Sequence, residues 1–111
     1  MDCIFCKIAN GEIPTNKVYE DDKIIAFNDL EPKAPVHVLI IPKEHICCAD
    51  ELNEENSAIV GYIFSKIPVI AKELSLDGYR VVNNCKENGG QTVFHLHFHL
   101  LGGTKLSGDF A

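Results

Sequence analysis

His95-Leu96-His97-Phe98-His99-Leu100-Leu101-Gly102-Gly103 sets three histidines two residues apart near the C-terminus. Successive side chains of a strand point to opposite faces, so a strand here gathers the three imidazoles on one face. Leu96, Phe98 and Leu100 take the other. Histidine is the one side chain whose unperturbed pKa lies near neutrality, so such a row can supply a nucleophile, an acid, a base or a metal ligand. At a rise of ~3.3 Å per residue, His95 and His99 are ~13 Å apart along the strand. One tetrahedral zinc, with nitrogen bonds of ~2.0–2.1 Å, cannot easily take all three, although a neighbouring pair can share one. The row is a line of groups along a substrate rather than a cage.

The 111 residues predict one domain, residues 1–111, with a core that needs no disulfides. No basic leader with an apolar run is found at the N-terminus, and no stretch approaches the ~18–20 apolar residues of a spanning helix. A cytoplasmic protein without membrane contact is expected. The net charge of −6 argues against a nucleic-acid polymer as partner, because such binding draws on basic side chains at phosphates. A mononucleotide, held by a few imidazoles and N–H groups, is still allowed. Five cysteines, with Cys47 and Cys48 adjacent, do not read as a secreted disulfide framework. Cys3-Ile4-Phe5-Cys6 differs: its spacing suits one zinc, redox exchange, or simply two small residues on a short helix.

Along the chain, Cys3 to Ala9 predicts a short helix, stopped by Asn10-Gly11. Lys17 to Glu20 and Lys23 to Asn28 predict strands around Asp21-Asp22, and Val36 to Pro42 a buried strand that carries His37 near its start. Ile59, Ile63, Ile67, Ile70 and Leu74 form one apolar stripe, predicting a helix over residues 54–74. Pro68 lies inside it and predicts a kink rather than two helices. Tyr79 to Asn84 is a further strand, and Cys85 to Thr92 a polar loop before the histidine strand. The order predicts an α+β fold, one long helix on a mostly antiparallel sheet. In Asn88-Gly89-Gly90-Gln91-Thr92, paired glycines let N–H groups turn toward an anion beside the imidazoles.

The histidine stretch matches the His-φ-His-φ-His-φ-φ signature (φ apolar) of the histidine triad superfamily, and the chain resembles its Hint-type branch of nucleotide phosphoramidases and nucleotidyl hydrolases. The likeness extends over Ile4-Phe5-Cys6-Lys7-Ile8, Glu12-Ile13-Pro14, Ala26-Phe27-Asn28-Asp29, Ala34-Pro35-Val36-His37, Ile41-Pro42-Lys43-Glu44-His45-Ile46 and Gly89-Gly90-Gln91-Thr92-Val93. It implies a homodimer whose subunits each hold a five-stranded antiparallel sheet and one purine nucleotide. By position, His97 is the implied nucleophile, while His99 holds phosphate and assists protonation, and His37 supports the row. Asp29 bonds the ribose hydroxyls. Phe5, Ile8, Ile13, Phe27 and Leu30 line the base pocket, and Asn84, Gly90, Gln91, Thr92 and Val93 meet the phosphate. Some bacterial members bind a structural zinc, and the matching positions are Cys3, Cys6, His45 and His95. Lys86 replaces a glycine common in the family's loop. The sequence given ends at Ala111, without the longer tail that some members place near the partner's active site.

The resemblance implies hydrolysis of a phosphorus–nitrogen bond. An amine leaves phosphorus only when protonated, so a nucleophile and a nearby acid are both needed, and adjacent histidines can supply them without a catalytic metal. Two alternatives share these residues. One is a metalloenzyme in which His95 and His97 bind a zinc that activates water; the other is a non-catalytic nucleotide-binding or interaction protein.

Overall fold

Ile24 to Phe27 and Val38 to Ile41 are uninterrupted apolar runs, the mark of strands covered on both faces. In the computed structural model, which describes residues 3–110, they form the middle of a five-stranded antiparallel sheet. The elements run α1 (Ile4–Ala9), β1 (Lys17–Glu20), β2 (Ile24–Asn28), β3 (Val36–Pro42), α2 (Ala58–Glu73), β4 (Tyr79–Val82) and β5 (Phe98–Gly102). The sheet order is β1-β2-β3-β5-β4, so β3 and β5 stand side by side at its centre. This is the expected α+β architecture. No helix among the described residues is long and apolar enough to cross a membrane.

Alternation along the strands sorts the core into two layers. Ile24, Ala26, Val38, Ile40, Leu96, Phe98 and Leu100 pack on the face covered by Ile63, Ile67 and Ile70 of α2. Ile25, Phe27, Leu39 and Ile41 face the other way, onto Phe5, Ile8 and Ala9 of α1. The long helix thus shields one face, while the short helix covers only part of the other and leaves room there for a cavity.

Three boundaries differ from the sequence reading by two residues or more, each with a hydrogen bond that accounts for it. Helix α2 begins at Ala58, not residue 54: Asn53 caps a turn by accepting the N–H groups of Glu55 and Asn56, and a tight bond from Val60 N–H to the Ser57 carbonyl at 3.0 Å separates that turn from the helix. It continues through Pro68 as one helix. Strand β4 stops at Val82, after which Asn83 donates its side-chain amide to the His97 carbonyl at 2.8 Å. Strand β5 starts at Phe98, so His95 and His97 lie just before the ladder rather than in it. Leu96 N–H donates instead to the Ile46 carbonyl at 2.6 Å, drawing this segment toward His45.

Candidate active site

The alternation of the histidine stretch survives the shorter strand. Leu96, Phe98 and Leu100 enter the core under α2, while His97 and His99 open on the opposite side into a cavity of about 1100 Å³. Its walls come from five places. Phe5 and Ile8 project from α1, Ile13 follows it, and Phe27 lies on β2. Asp29 and His37 flank the β2–β3 loop, and Asn84, Gly90, Thr92 and Val93 close the far side. Every expected cavity residue but one therefore meets here. Phe5 and Phe27 stand edge to face at 5.6 Å, and Phe5 meets the His97 ring edge-on at 5.2 Å. Aromatic and aliphatic walls suit a flat heterocycle; the imidazoles and amides suit an anion.

Two expected residues take different positions from those anticipated. Gln91 does not line the cavity. Its carboxamide accepts Lys86 N–H at 2.7 Å and donates to the carbonyls of Cys47 and Val93 at 2.8 and 3.0 Å, which makes it a brace inside the loop. Leu30 lies at the cavity mouth with 96% of its surface exposed, because Asp29 caps the following turn by accepting Glu31 N–H.

The hydrogen-bond partners assign the imidazole tautomers. Nδ1 of His97 is 2.7 Å from the His95 carbonyl, which can only accept, so His97 carries its proton there and presents a bare Nε2. Nδ1 of His37 accepts the Lys33 N–H at 3.0 Å, which leaves the His37 proton on Nε2, 2.9 Å from Nδ1 of His99. While that bond holds, His99 bears its own proton on Nε2, and that buried nitrogen has no protein partner. Burial, followed by the His97 and His37 rings, outweighs Asp29 and pushes His99 down to about 4. Burial likewise lowers His37 and His97. A bare nitrogen and an N–H donor, both on neutral rings, therefore sit side by side, with centroids 5.0 Å apart.

His95 belongs to another group. Fully buried, it turns from the cavity toward Cys3, Cys6 and His45. Its Nδ1 is 3.4 and 3.5 Å from the two sulfurs and 3.1 Å from Nδ1 of His45, while Cys6 Sγ is 3.3 Å from that same His45 nitrogen. A tetrahedral zinc with its usual bond lengths needs S···N edges of about 3.5 Å and N···N edges of about 3.3 Å. The four donors are spaced for it. Nε2 of His95 donates to the Pro42 carbonyl at 2.8 Å, the outer contact that frees Nδ1 for a metal. Burial and the neighbouring Cys3 push the Cys6 thiol up, so a thiolate pair here calls for a cation between them.

Asp29, His37 and His99 also bring donor atoms together. Their outer contacts are of the opposite kind. A neutral histidine that binds metal through Nε2 must carry its proton on Nδ1, yet His37 Nδ1 already faces the Lys33 N–H. This cluster is a proton chain, not a metal cradle.

Two contributors escaped the sequence reading. Asn83 holds the His97 carbonyl, and the Asn83-Asn84 doublet carried the signal, since neighbours at a strand end point opposite ways. Lys33 acts through its main chain, which leaves no mark on residue type.

The family model described as "Scavenger mRNA decapping enzyme C-term binding" matches residues 2–109. Protein HitA of Neisseria gonorrhoeae is 46% identical over 101 residues, covering 90% of this chain and 94% of its own. A 14 kDa zinc-binding protein of Zea mays is 46% identical over 107 residues, 94% of this chain and 84% of its own. A histidine triad protein from Clostridium difficile superposes with a TM-score of 0.95 at 54% identity, covering 99% and 97% of the two chains. A HIT family hydrolase from Legionella pneumophila does so at 0.91 and 46%, covering 96% and 97%.

Proposed function

The chain belongs to the histidine triad (HIT) family, and from that premise we propose that it is a purine nucleotide-binding hydrolase that cleaves nucleoside 5′-phosphoramidates through a covalent nucleotidyl-histidine on His97. The observation that carries this reading is the pairing of tautomers: a bare Nε2 on His97 beside an Nε2–H on His99. The hydrolase name of the Legionella neighbour supports the same reaction class.

The purine slides between Phe5, Ile8, Ile13 and Phe27, and the ribose hydroxyls reach Asp29. Nε2 of His97 attacks the α-phosphorus, and the phosphorus–nitrogen bond breaks as His99, made an imidazolium by a second proton that enters with the anionic substrate, gives its Nε2 proton to the departing amine and becomes neutral. Neutral His99 then takes a proton on Nε2 from the water that splits the phosphorus–His97 bond, His97 leaves as a neutral ring, and the extra proton departs with the product nucleotide. Thr92, Asn84 and the N–H groups around Gly90 and Val93 oppose the charge on the equatorial oxygens, which is the work a catalytic metal does elsewhere. The zinc-water alternative fares worse, because His95 and His97 turn to separate sets of partners.

Cys3, Cys6, His45 and His95 we read as the holders of a structural zinc, on the strength of their donor spacing and the zinc-binding name of the maize relative. A bound zinc would tie α1, with Phe5 and Ile8, to the start of β5. A cytoplasmic homodimer completes the reading. Exposed Phe64 and Val69 on α2, with Tyr79 on the edge strand β4, supply apolar surface for a second copy.

The test is rapid-quench labelling with a radioactive purine nucleoside 5′-phosphoramidate. The wild type should trap acid-labile label and His97→Asn none. Nucleotide binding without label or turnover would favour the non-catalytic reading instead.

A further inference from the structure

The single proton that His37 carries on Nε2 has two acceptors within reach. Nδ1 of His99 lies at 2.9 Å and the Asp29 carboxylate oxygen Oδ2 at 3.5 Å. The second lies at the edge of hydrogen-bond distance but bears a full negative charge, so a small turn of the His37 ring would give it a strong bond there. The His37 side chain is 3% exposed and that of Asp29 21%, so water competes weakly for the contact. His37 cannot serve both by gaining a second proton, because the Lys33 N–H occupies Nδ1 and burial pushes the ring's pKa down.

Which acceptor wins decides the tautomer of His99. When Nδ1 of His99 accepts from His37, its proton sits on Nε2, the unpartnered nitrogen. When the His37 ring turns its N–H to Asp29, the bond to His99 opens and Nδ1 of His99 is free to hold the proton. Nε2 then presents a lone pair to the cavity, which repels a phosphoryl oxygen and cannot protonate an amine.

Asp29 divides its oxygens between two tasks. Oδ1 accepts the Glu31 N–H at 2.8 Å and fixes the turn, while Oδ2 faces His37. A vicinal diol that donates to Oδ2 would satisfy the charge now competing for the His37 proton. We propose that Asp29 is a positioning residue for His99: occupation of its carboxylate by the ribose hydroxyls releases the His37 proton to His99 and sets His99 as an Nε2–H donor. This rests on the nucleotide-hydrolase reading above and goes beyond it, because the ribose becomes a switch for the acid and not only a handle for affinity. Binding energy from a remote part of the substrate is thereby spent on the chemical step.

Imidazole ¹⁵N spectra of the full chain, recorded near neutral pH with adenosine or guanosine and with the matching 2′,3′-dideoxynucleosides, test the switch without turnover. With the ribonucleosides, His99 Nε2 should move to the shift of an N–H nitrogen and Nδ1 to that of a bare acceptor. The dideoxynucleosides should leave the two nitrogens averaged. In Asp29→Asn the two nucleoside types should give the same spectrum. In parallel, kcat for a 2′,3′-dideoxynucleoside 5′-phosphoramidate should fall about tenfold below that of the ribonucleoside in the wild type, a gap that should close in the variant. If the ribonucleosides bind and the His99 resonances match those with the dideoxynucleosides, the switch is overturned while the nucleotide reading stands. If no nucleoside of either kind binds, both fall together. Should Asp29→Asn fail to fold, the wild-type comparison decides alone.

Discussion

Nδ1 of His97 lies 2.7 Å from the main-chain oxygen of His95, so one residue serves two sites. The His95 side chain turns to Cys3, Cys6 and His45, and its carbonyl fixes the proton of His97. The grip on the buried cluster is therefore also a grip on the nucleophile. His97→Asn should keep the fold and nucleotide affinity while lowering turnover by about 10³-fold or more, because among the described residues no other side chain offers a bare nitrogen beside the His99 donor. Isothermal titration with a purine mononucleotide, alongside steady-state kinetics, would show this. Equal losses of binding and rate would point to a role in affinity alone.

The same relationship makes zinc visible in two readouts. Protein purified without chelator should contain one zinc per chain by elemental analysis. Cys6→Ser should melt more than about 10 °C lower, since metal binding is coupled to folding. Its KM should rise as well, because α1 carries Phe5 and Ile8 of the cavity wall. A metal-free wild type with the same melting temperature as Cys6→Ser would remove zinc from the account.

How much of this was legible depends on whether a residue's role is local. The two-residue spacing of His95, His97 and His99 placed them on a common side, since alternation is a property of extended chain even outside a ladder. The start of β5 was not legible, because Leu96 N–H bonds Ile46 across 50 positions of sequence and only the fold brings them together. The spacing of Ile63, Ile67 and Ile70 revealed the buried stripe of α2, yet the helix start was set by a tight bond from Val60 N–H to the Ser57 carbonyl, which residue types do not announce. In the glycine loop a polar side chain can face a ligand or its own backbone, and residue type does not say which. Gln91 turned inward.

Lys86 shows strain that residue type alone only hinted at. Its φ of 64° and ψ of 173° fall in a region that glycine occupies freely and a side chain does not. The loop holds it there: Lys86 N–H donates to Gln91, its carbonyl accepts from Gly89 and Gln91, and its ammonium pairs with Asp50 at 2.7 Å. Lys86→Gly should relieve the backbone at the cost of an exposed ion pair and a more flexible unfolded chain. The net expectation is a melting temperature about 2–5 °C higher, with kcat nearly unchanged. A drop in melting temperature would mean that the Asp50 pair, rather than the backbone, dominates this corner.

Asp21 ties the β1–β2 turn to α2 and sets a pH dependence of stability. Its Oδ2 accepts the hydroxyls of Tyr62 and Tyr19 at 2.6 and 2.9 Å, and Oδ1 accepts the N–H groups of Lys23 and Ile24 at 2.8 and 3.0 Å. Burial pushes this carboxyl up, but the Tyr62, Lys23, Ile24 and Tyr19 bonds together pull it down from 3.8 to about 2. A carboxyl lowered by folding binds protons more readily in the unfolded chain, so its stabilisation is complete above 3.8 and is lost as pH falls toward 2. Tyr62 works in the other direction. Its bond to Asp21 raises it from 10.0 to about 12, so its contribution is whole below 10.0 and disappears as pH rises through about 12. Asp21→Asn should therefore melt about 5 °C lower at neutral pH. Its melting temperature should also vary less than that of the wild type at both ends of the scale, and Tyr62→Phe should flatten the alkaline end. Thermal melts from pH 2 to pH 12 on the three proteins check this, and parallel curves for wild type and Asp21→Asn would show that the shift arises elsewhere.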